Sequence, residues 1–144
     1  MPFNLDAYQR LRTSNLGAHV QYLDATVSTM DDARAGALRG DPCGTAYLAG
    51  TQTAGRGRLG RTWVSEGTGL YVTYYLCVRE AHVLPLFPVA AALAASDAVR
   101  EVSHLPTELK WPNDVLYQGR KLAGILTEAV HGDEVVVFIG LGIN

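Results

Sequence analysis

Residues 108–144 read ELKWPNDVLYQGRKLAGILTEAVHGDEVVVFIGLGIN, and the punctuation of this stretch decides the fold. Pro-Asn-Asp at 112–114, Gln-Gly at 118–119 and His-Gly-Asp at 131–133 are turn signals. They divide the stretch into four β-prone pieces, 108–111, 115–117, 121–130 and 135–141. Connections this short join antiparallel neighbours, so the C-terminal part is expected to be an antiparallel meander. Its last strand is apolar, and at the end of a meander it is expected to form an open hydrophobic edge, a liability for stability.

Upstream, helices and strands alternate. Asn4 is placed to cap a short helix carrying Leu5, Tyr8 and Leu11, Gly17 breaks it, and 18–23 reads as a strand followed by a turn at 26–29. Ser28, with Asp31 three residues on, approximates a capping box and opens a helix over 29–39 that ends at Gly40. Residues 45–50 read as a strand, and 70–78 (LYVTYYLCV) as a central one. The alanine-rich segment 86–102, with Pro88 in its first turn, has the character of a buried helix. The expected fold class is α+β, a mixed, largely antiparallel sheet covered on one face by helices.

The chain has 144 residues, enough for one sizeable core and too few for two ordinary domains. Hydrophobic residues make up 48% and charged residues 18%, with a net charge of -2, which argues against disorder and against a general polyanion binder. Cys43 and Cys77 lie outside any metal-ligand spacing and are expected to be reduced core thiols, and the four histidines form no ligand pair. No apolar run is expected to reach the length of a membrane span, and the N-terminus lacks the apolar core of a signal peptide, so a cytoplasmic location is expected. Of the twelve basic residues only Lys110 and Lys121 are lysines, both within one short block.

Residues 52–63, QTAGRGRLGRTW, place Arg56, Arg58 and Arg61 among Gly55, Gly57 and Gly60. Glycines let backbone approach a ligand closely, and guanidiniums offer forked donors to carboxylate or phosphate oxygens. The spacing is neither a nucleoside-triphosphatase phosphate loop nor a Rossmann fingerprint, and strand-like sequence follows it. An anion is the expected guest.

Five motifs in order, Ser28-Thr29, GRGRLGRTW at 55–63, KWPND at 110–114, KLAGIL at 121–126 and GLGIN at 140–144, make the chain resemble the catalytic domain of biotin protein ligases. The resemblance covers nearly everything from Thr26 onward. It implies the fold shared with class II aminoacyl-tRNA synthetases, ATP and Mg²⁺ as cofactors, biotin as substrate, and transfer of biotin through biotinyl-5'-adenylate to one lysine of a biotin carboxyl carrier domain. Joining a carboxylate to an α-phosphate brings two anions together and requires cationic donors at the meeting point. Lys121, Arg56 and Arg58 are the implied charges. Ser28, Thr29, Met30 and Gln52 would line the ureido-ring pocket, and the loop of Gly55, Arg56, Gly57 and Arg58 would close over the adenylate. Gly124 would let backbone pass close to the ligand. Asn113 would support its turn and the nucleotide, and Asp114 would either hold Mg²⁺ or take a proton from the carrier lysine. Trp63 and Trp111 are flat surfaces suited to a ring wall or to core packing.

About 27 residues precede Ser28, too few for the helix-turn-helix domain of some family members, so no nucleic-acid partner is expected. Members of the family continue past the GxGxN ending, with further catalytic elements and a small β-barrel, so 1–144 reads as a single, partial catalytic domain. Two other readings stand beside this one: a non-catalytic homologue that binds biotin or a partner, and a lipoate ligase, which shares the fold and the adenylate chemistry but carries an Arg-Arg-x-Ser-Gly-Gly-Gly loop where this chain has GRGRLG. No membrane partner is expected, and a homodimer through the final strand is an open alternative.

Overall fold

The computed structural model describes residues 3–10 and 15–144. Seven strands form one sheet: β1 (Val20–Thr26), β2 (Ala46–Gln52), β3 (Leu70–Val78), β4 (Glu108–Lys110), β5 (Asp114–Tyr117), β6 (Arg120–His131) and β7 (Val135–Ile143). Their spatial order is β1-β2-β3-β7-β6-β5-β4. Only β1 and β2 are parallel, and helix α2 (Thr29–Arg39) supplies the crossover between them. The fold is α+β with a mixed, largely antiparallel sheet, and the meander from β4 to β7 forms as its turn residues require.

The position of β7 corrects the expected open edge. It pairs with β6 along Ala123–His131 and with β3 along its whole length, Leu70 facing Ile143 and Val78 facing Val135. The most apolar strand is therefore central, where both of its edges are hydrogen-bonded, and the edges of the sheet are β1 and the short β4.

The helices do not share one face either. Helix α2 packs Met30 and Ala33 against Tyr47, Tyr75 and Phe138. Helix α3 (Phe87–Ser103) packs Ala92 and Ala95 against Val115, Ala123, Ile125, Val137 and Ile139. Tyr75 and Phe138 are register partners, while their neighbours Tyr74, Val137 and Ile139 point the other way, so the two helices cover opposite faces of the sheet. A 3-10 turn (Ala81–Leu86) leads into α3, and together Ala81–Ser103 is long and apolar enough to match a membrane span, against expectation. The segment instead docks on the sheet through buried Ala92, Ala95 and Ser96, with Asp97, Arg100 and Glu101 in its second half.

Capping chemistry sets the helix ends. Asn4 accepts from the Ala7 N–H at 2.8 Å and starts α1 (Leu5–Gln9), whose expected continuation to Leu11 lies outside the described residues. Ser28 caps α2 through the Met30 N–H, and Gly40 ends it at φ 85°, a left-handed geometry that glycine adopts without strain. Cys43 and Cys77 are disulfide-bonded rather than reduced, with Cα atoms 5.7 Å apart. The register explains the pairing: Ala46 faces Tyr74 across β2 and β3, and continuing that ladder outward brings position 43 opposite 77.

Candidate functional site

Strand β7 decides where the cleft lies. Along its α2 face the residues run Val136, Phe138, Gly140, Gly142, large under the helix and absent beyond it. On β6 the same face carries Gly124 and Leu126, and Gly124 sits directly opposite Gly142 in the ladder. The sheet is thus bare beside the first turn of α2, and a cleft of about 320 Å³ opens there. Ser28, Thr29, Met30, Gln52, Arg56, Gly57, Arg58, Asn113, Asp114, Lys121 and Gly124 all line it. Of the residues assigned to ligand binding or catalysis in the sequence, Gly55 does not. It is buried against its own loop, where its carbonyl accepts from the Trp63 N–H at 2.8 Å and a Cβ would lie 2.5 Å from the Trp63 carbonyl oxygen.

One end of the cleft is a neutral hydrogen-bond network. Gln52 Oε1 accepts from the Thr29 N–H at 2.9 Å and from Thr29 Oγ1 at 3.1 Å. The Thr29 N–H can only donate, which fixes the amide so that Nε2 donates to Ser65 Oγ at 2.9 Å. Thr29 Oγ1 also meets Thr73 Oγ1 at 2.9 Å. Ser28, Thr29, Thr73 and Ser65 are all buried, so this end presents fixed donors and acceptors in a low-dielectric setting.

The other end is cationic. Lys121 Nζ lies 2.8 Å from Asp114 Oδ1, an ion-pair contact without hydrogen-bond alignment, so the buried Oδ1 has no directed donor among the described residues. The same ammonium stands 5.2 Å from the centre of the Trp63 ring. Arg58 Nη1 donates to Asn113 Oδ1 at 3.1 Å, and Asn113 is itself fixed by donating from Nδ2 to the Ile125 carbonyl at 2.7 Å. Arg56 instead forks onto Asp31, with contacts of 2.7 and 3.0 Å. The Arg56 hydrogen bond holds the Asp31 carboxyl below the usual carboxylate range, and Asp31 raises Arg56 in turn. Arg56 is therefore committed to a carboxylate, whereas Arg58 is bonded to a neutral amide.

Trp63 occupies the double-glycine notch. A Cβ at Gly142 would lie 2.3 Å from its Nε1, and one at Gly124 would lie 2.8 Å from its Cζ3. Gly124, expected to let backbone pass close to a ligand, here seats this indole and the Lys121 side chain. Trp111 is 78% exposed and Lys110 stands on edge strand β4; neither lines the cleft. Sequence reasoning gave no site role to Thr73, Ser65, Gly140 or Gly142, although the two glycines belong to the GLGIN motif. The glycines carried a signal in the alternation of β7, while the two hydroxyls carried none without knowledge of which face they point to.

Residues 35–144 match the sequence profile of the Biotin/lipoate A/B protein ligase family. The chain belongs to that family. It is 40% identical over 140 residues to the bifunctional ligase/repressor BirA of Bacillus subtilis, covering 93% of this chain and 42% of that protein. It is 41% identical over 128 residues to the biotin--[acetyl-CoA-carboxylase] ligase of Mycobacterium tuberculosis, covering 83% of this chain and 46% of that one. The chain therefore spans less than half the length of these relatives. Biotin protein ligase from Leishmania major, solved with biotinyl-5-AMP, superposes with a TM-score of 0.77 at 34% identity, over 88% of this chain and 57% of that one. The Aquifex aeolicus enzyme, solved with biotin and ATP, gives 0.70 at 37% identity, over 88% and 52%.

Proposed function

We propose that this chain activates biotin with ATP and passes it to a lysine of a biotin carboxyl carrier domain. The observation that carries the proposal is the two-ended cleft. A cyclic urea needs both donors and acceptors, which the Ser28, Thr29, Gln52 and Thr73 end supplies. A carboxylate meeting a phosphate needs positive charge, which Lys121 and Arg58 supply at the other end. Related proteins hold biotin, ATP or biotinyl-5-AMP on the same fold.

In the first step a biotin carboxylate oxygen attacks the α-phosphorus, the bond from that phosphorus to the bridging oxygen breaks, and pyrophosphate leaves. Lys121 turns from Asp114 to the gathering negative charge, and Arg58 exchanges Asn113 for a phosphate oxygen. In the second step the carrier amine attacks the acyl carbon, the bond from that carbon to the phosphate oxygen breaks, AMP leaves, and the nitrogen gives up its proton to solvent or to Asp114 as the amide forms. Asp114 is the one carboxylate lining the cleft among the described residues, and its buried Oδ1 is left without a partner once Lys121 turns away. That suits a magnesium ion, which is commonly held by one or two carboxylates together with phosphate oxygens. Such an ion, when bound, offsets phosphate charge.

Calorimetry with biotin and with lipoate tests the reading. Biotin is expected to bind and lipoate to bind far more weakly, because a dithiolane leaves the polar end of the cleft unpaired. Equal heats, or none with biotin, would refute it.

A further inference from the structure

The glycine-arginine loop is tethered on both sides of the cleft, and the two tethers differ in kind. Arg58 reaches Asn113 on the β5 side through a single hydrogen bond to a neutral amide. Arg56, two residues earlier, forks onto Asp31 on the α2 side through two charge-assisted contacts. Asp31 stands in the first turn of α2, immediately after Ser28, Thr29 and Met30, which line the cleft. Its side chain makes no capping-box bond to Ser28; the described bonds of its carboxylate both run to Arg56. The loop between the tethers is short and shaped, with the Gly57 N–H donating to the Arg61 carbonyl at 2.7 Å and a 3-10 turn at Arg58–Gly60. Leu59 at its crest is 87% exposed, so packing contributes little to holding the loop down.

We propose that Asp31 is a positioning residue, a latch that holds the loop over the cleft through Arg56 while Arg58 lets go of Asn113 and turns to the ligand. The idea rests on the proposed adenylate-forming reading. It also reassigns Arg56, whose guanidinium serves loop closure and does not bind phosphate. An arginine that already forks two donors onto a carboxylate gives up a charge-assisted pair to meet a second anion, whereas Arg58 gives up only one neutral acceptor. The latch joins the α2 end of the cleft to the loop, so a ligand seated against Ser28 and Thr29 lies under a cover anchored on the same helical turn.

Limited trypsin digestion reads loop opening without reference to catalysis, because Arg58 and Arg61 are cleavage sites within the loop. Asp31→Asn keeps side-chain size and leaves one acceptor where the fork needs two. It is expected to raise the initial cleavage rate after Arg58 and Arg61 roughly fivefold, the upper end for a half-exposed ion pair, with the melting temperature lowered by no more than a few degrees. Raising NaCl to about 0.5 M is expected to reproduce the effect in the parent and add little in the variant. Exchanging the charges, Asp31→Arg with Arg56→Asp, is expected to return cleavage at these sites to within twofold of the parent. Cleavage of Asp31→Asn at the parent rate, or a charge exchange that opens the loop further, would overturn the latch. The parent's biotin heat, measured in parallel, separates the two ideas. Binding with latch-insensitive cleavage removes the latch alone, and latch-sensitive cleavage without binding removes the proposed function and leaves the latch as a feature of the loop.

Discussion

Replacing Lys121 by glutamine keeps side-chain length and removes one charge, and the structure separates what this does to folding from what it does to chemistry. In the resting cleft Lys121 is paired with Asp114 at 2.8 Å, but its side chain is 44% exposed, so the pair contributes at most about 1 kcal/mol to stability. Its contact with the Trp63 ring, at 5.2 Å, adds about 0.5 to 1 kcal/mol. The fold should therefore survive with a loss of no more than about 2 kcal/mol. In the proposed transition state the same ammonium faces negative charge from both the carboxylate and the phosphate. Losing one charged donor to the transition state there costs about 2.7 to 4 kcal/mol, or roughly 10² to 10³ in rate. The assay is biotin-dependent pyrophosphate release, with circular dichroism as the control for folding. Lys110→Gln is the matched control, since Lys110 is exposed on the edge strand and does not line the cleft. Turnover of Lys121→Gln within about threefold of the parent, or greater damage from Lys110→Gln, would refute the placement of the catalytic charge.

Gly142→Ala should displace the Trp63 indole, because the new methyl would stand 2.3 Å from Nε1; indole fluorescence should shift and biotin affinity fall at least tenfold, and an unshifted spectrum with parent affinity would contradict the notch. Thiol titration under denaturing, non-reducing conditions should find no free cysteine, since Cys43 and Cys77 are bonded, and reduction should cost roughly 3 to 4 kcal/mol for a loop of this length; two titratable thiols would contradict the pairing. Asp31 is held below the ordinary carboxyl value by Arg56, so its contribution is complete above that value and is lost as pH falls through the lower, folded one. The stability difference between parent and Asp31→Asn should therefore be constant from pH 7 to pH 5 and shrink only below about pH 4; a difference that vanishes between pH 7 and 5 would contradict the ion pair.

Local chemistry was legible. The turn residues at 112–114, 118–119 and 131–133 delimit β4 to β7, Ser28 and Gly40 bound α2, and Leu70–Val78 is a strand from end to end. What the sequence could not show is set by pairing between distant segments. The insertion of β7 between β3 and β6 turns an expected edge into the centre of the sheet. Register decides which of two alternating faces a residue occupies, and hence that Gly140 and Gly142 open a cleft while Ile139 and Leu141 pack under α3. Register likewise brings Cys43 to Cys77, and the packing of α2 on the sheet brings Thr29 to Thr73, neither of which spacing along the chain reveals. The motif residues were found because each carries its own chemistry, and Asp31 was noticed only as a helix-start residue because its partner lies in another segment.

The adenylate-forming half-reaction is the centre of the account, and it needs no carrier protein. Exchange of labelled pyrophosphate into ATP measures it directly in the chain as it stands. The proposed chemistry predicts exchange that depends on added biotin, is not supported by lipoate, and falls by roughly two orders of magnitude or more in Lys121→Gln. Exchange that is absent with biotin in a folded, biotin-binding protein, or that proceeds equally with lipoate, would contradict it.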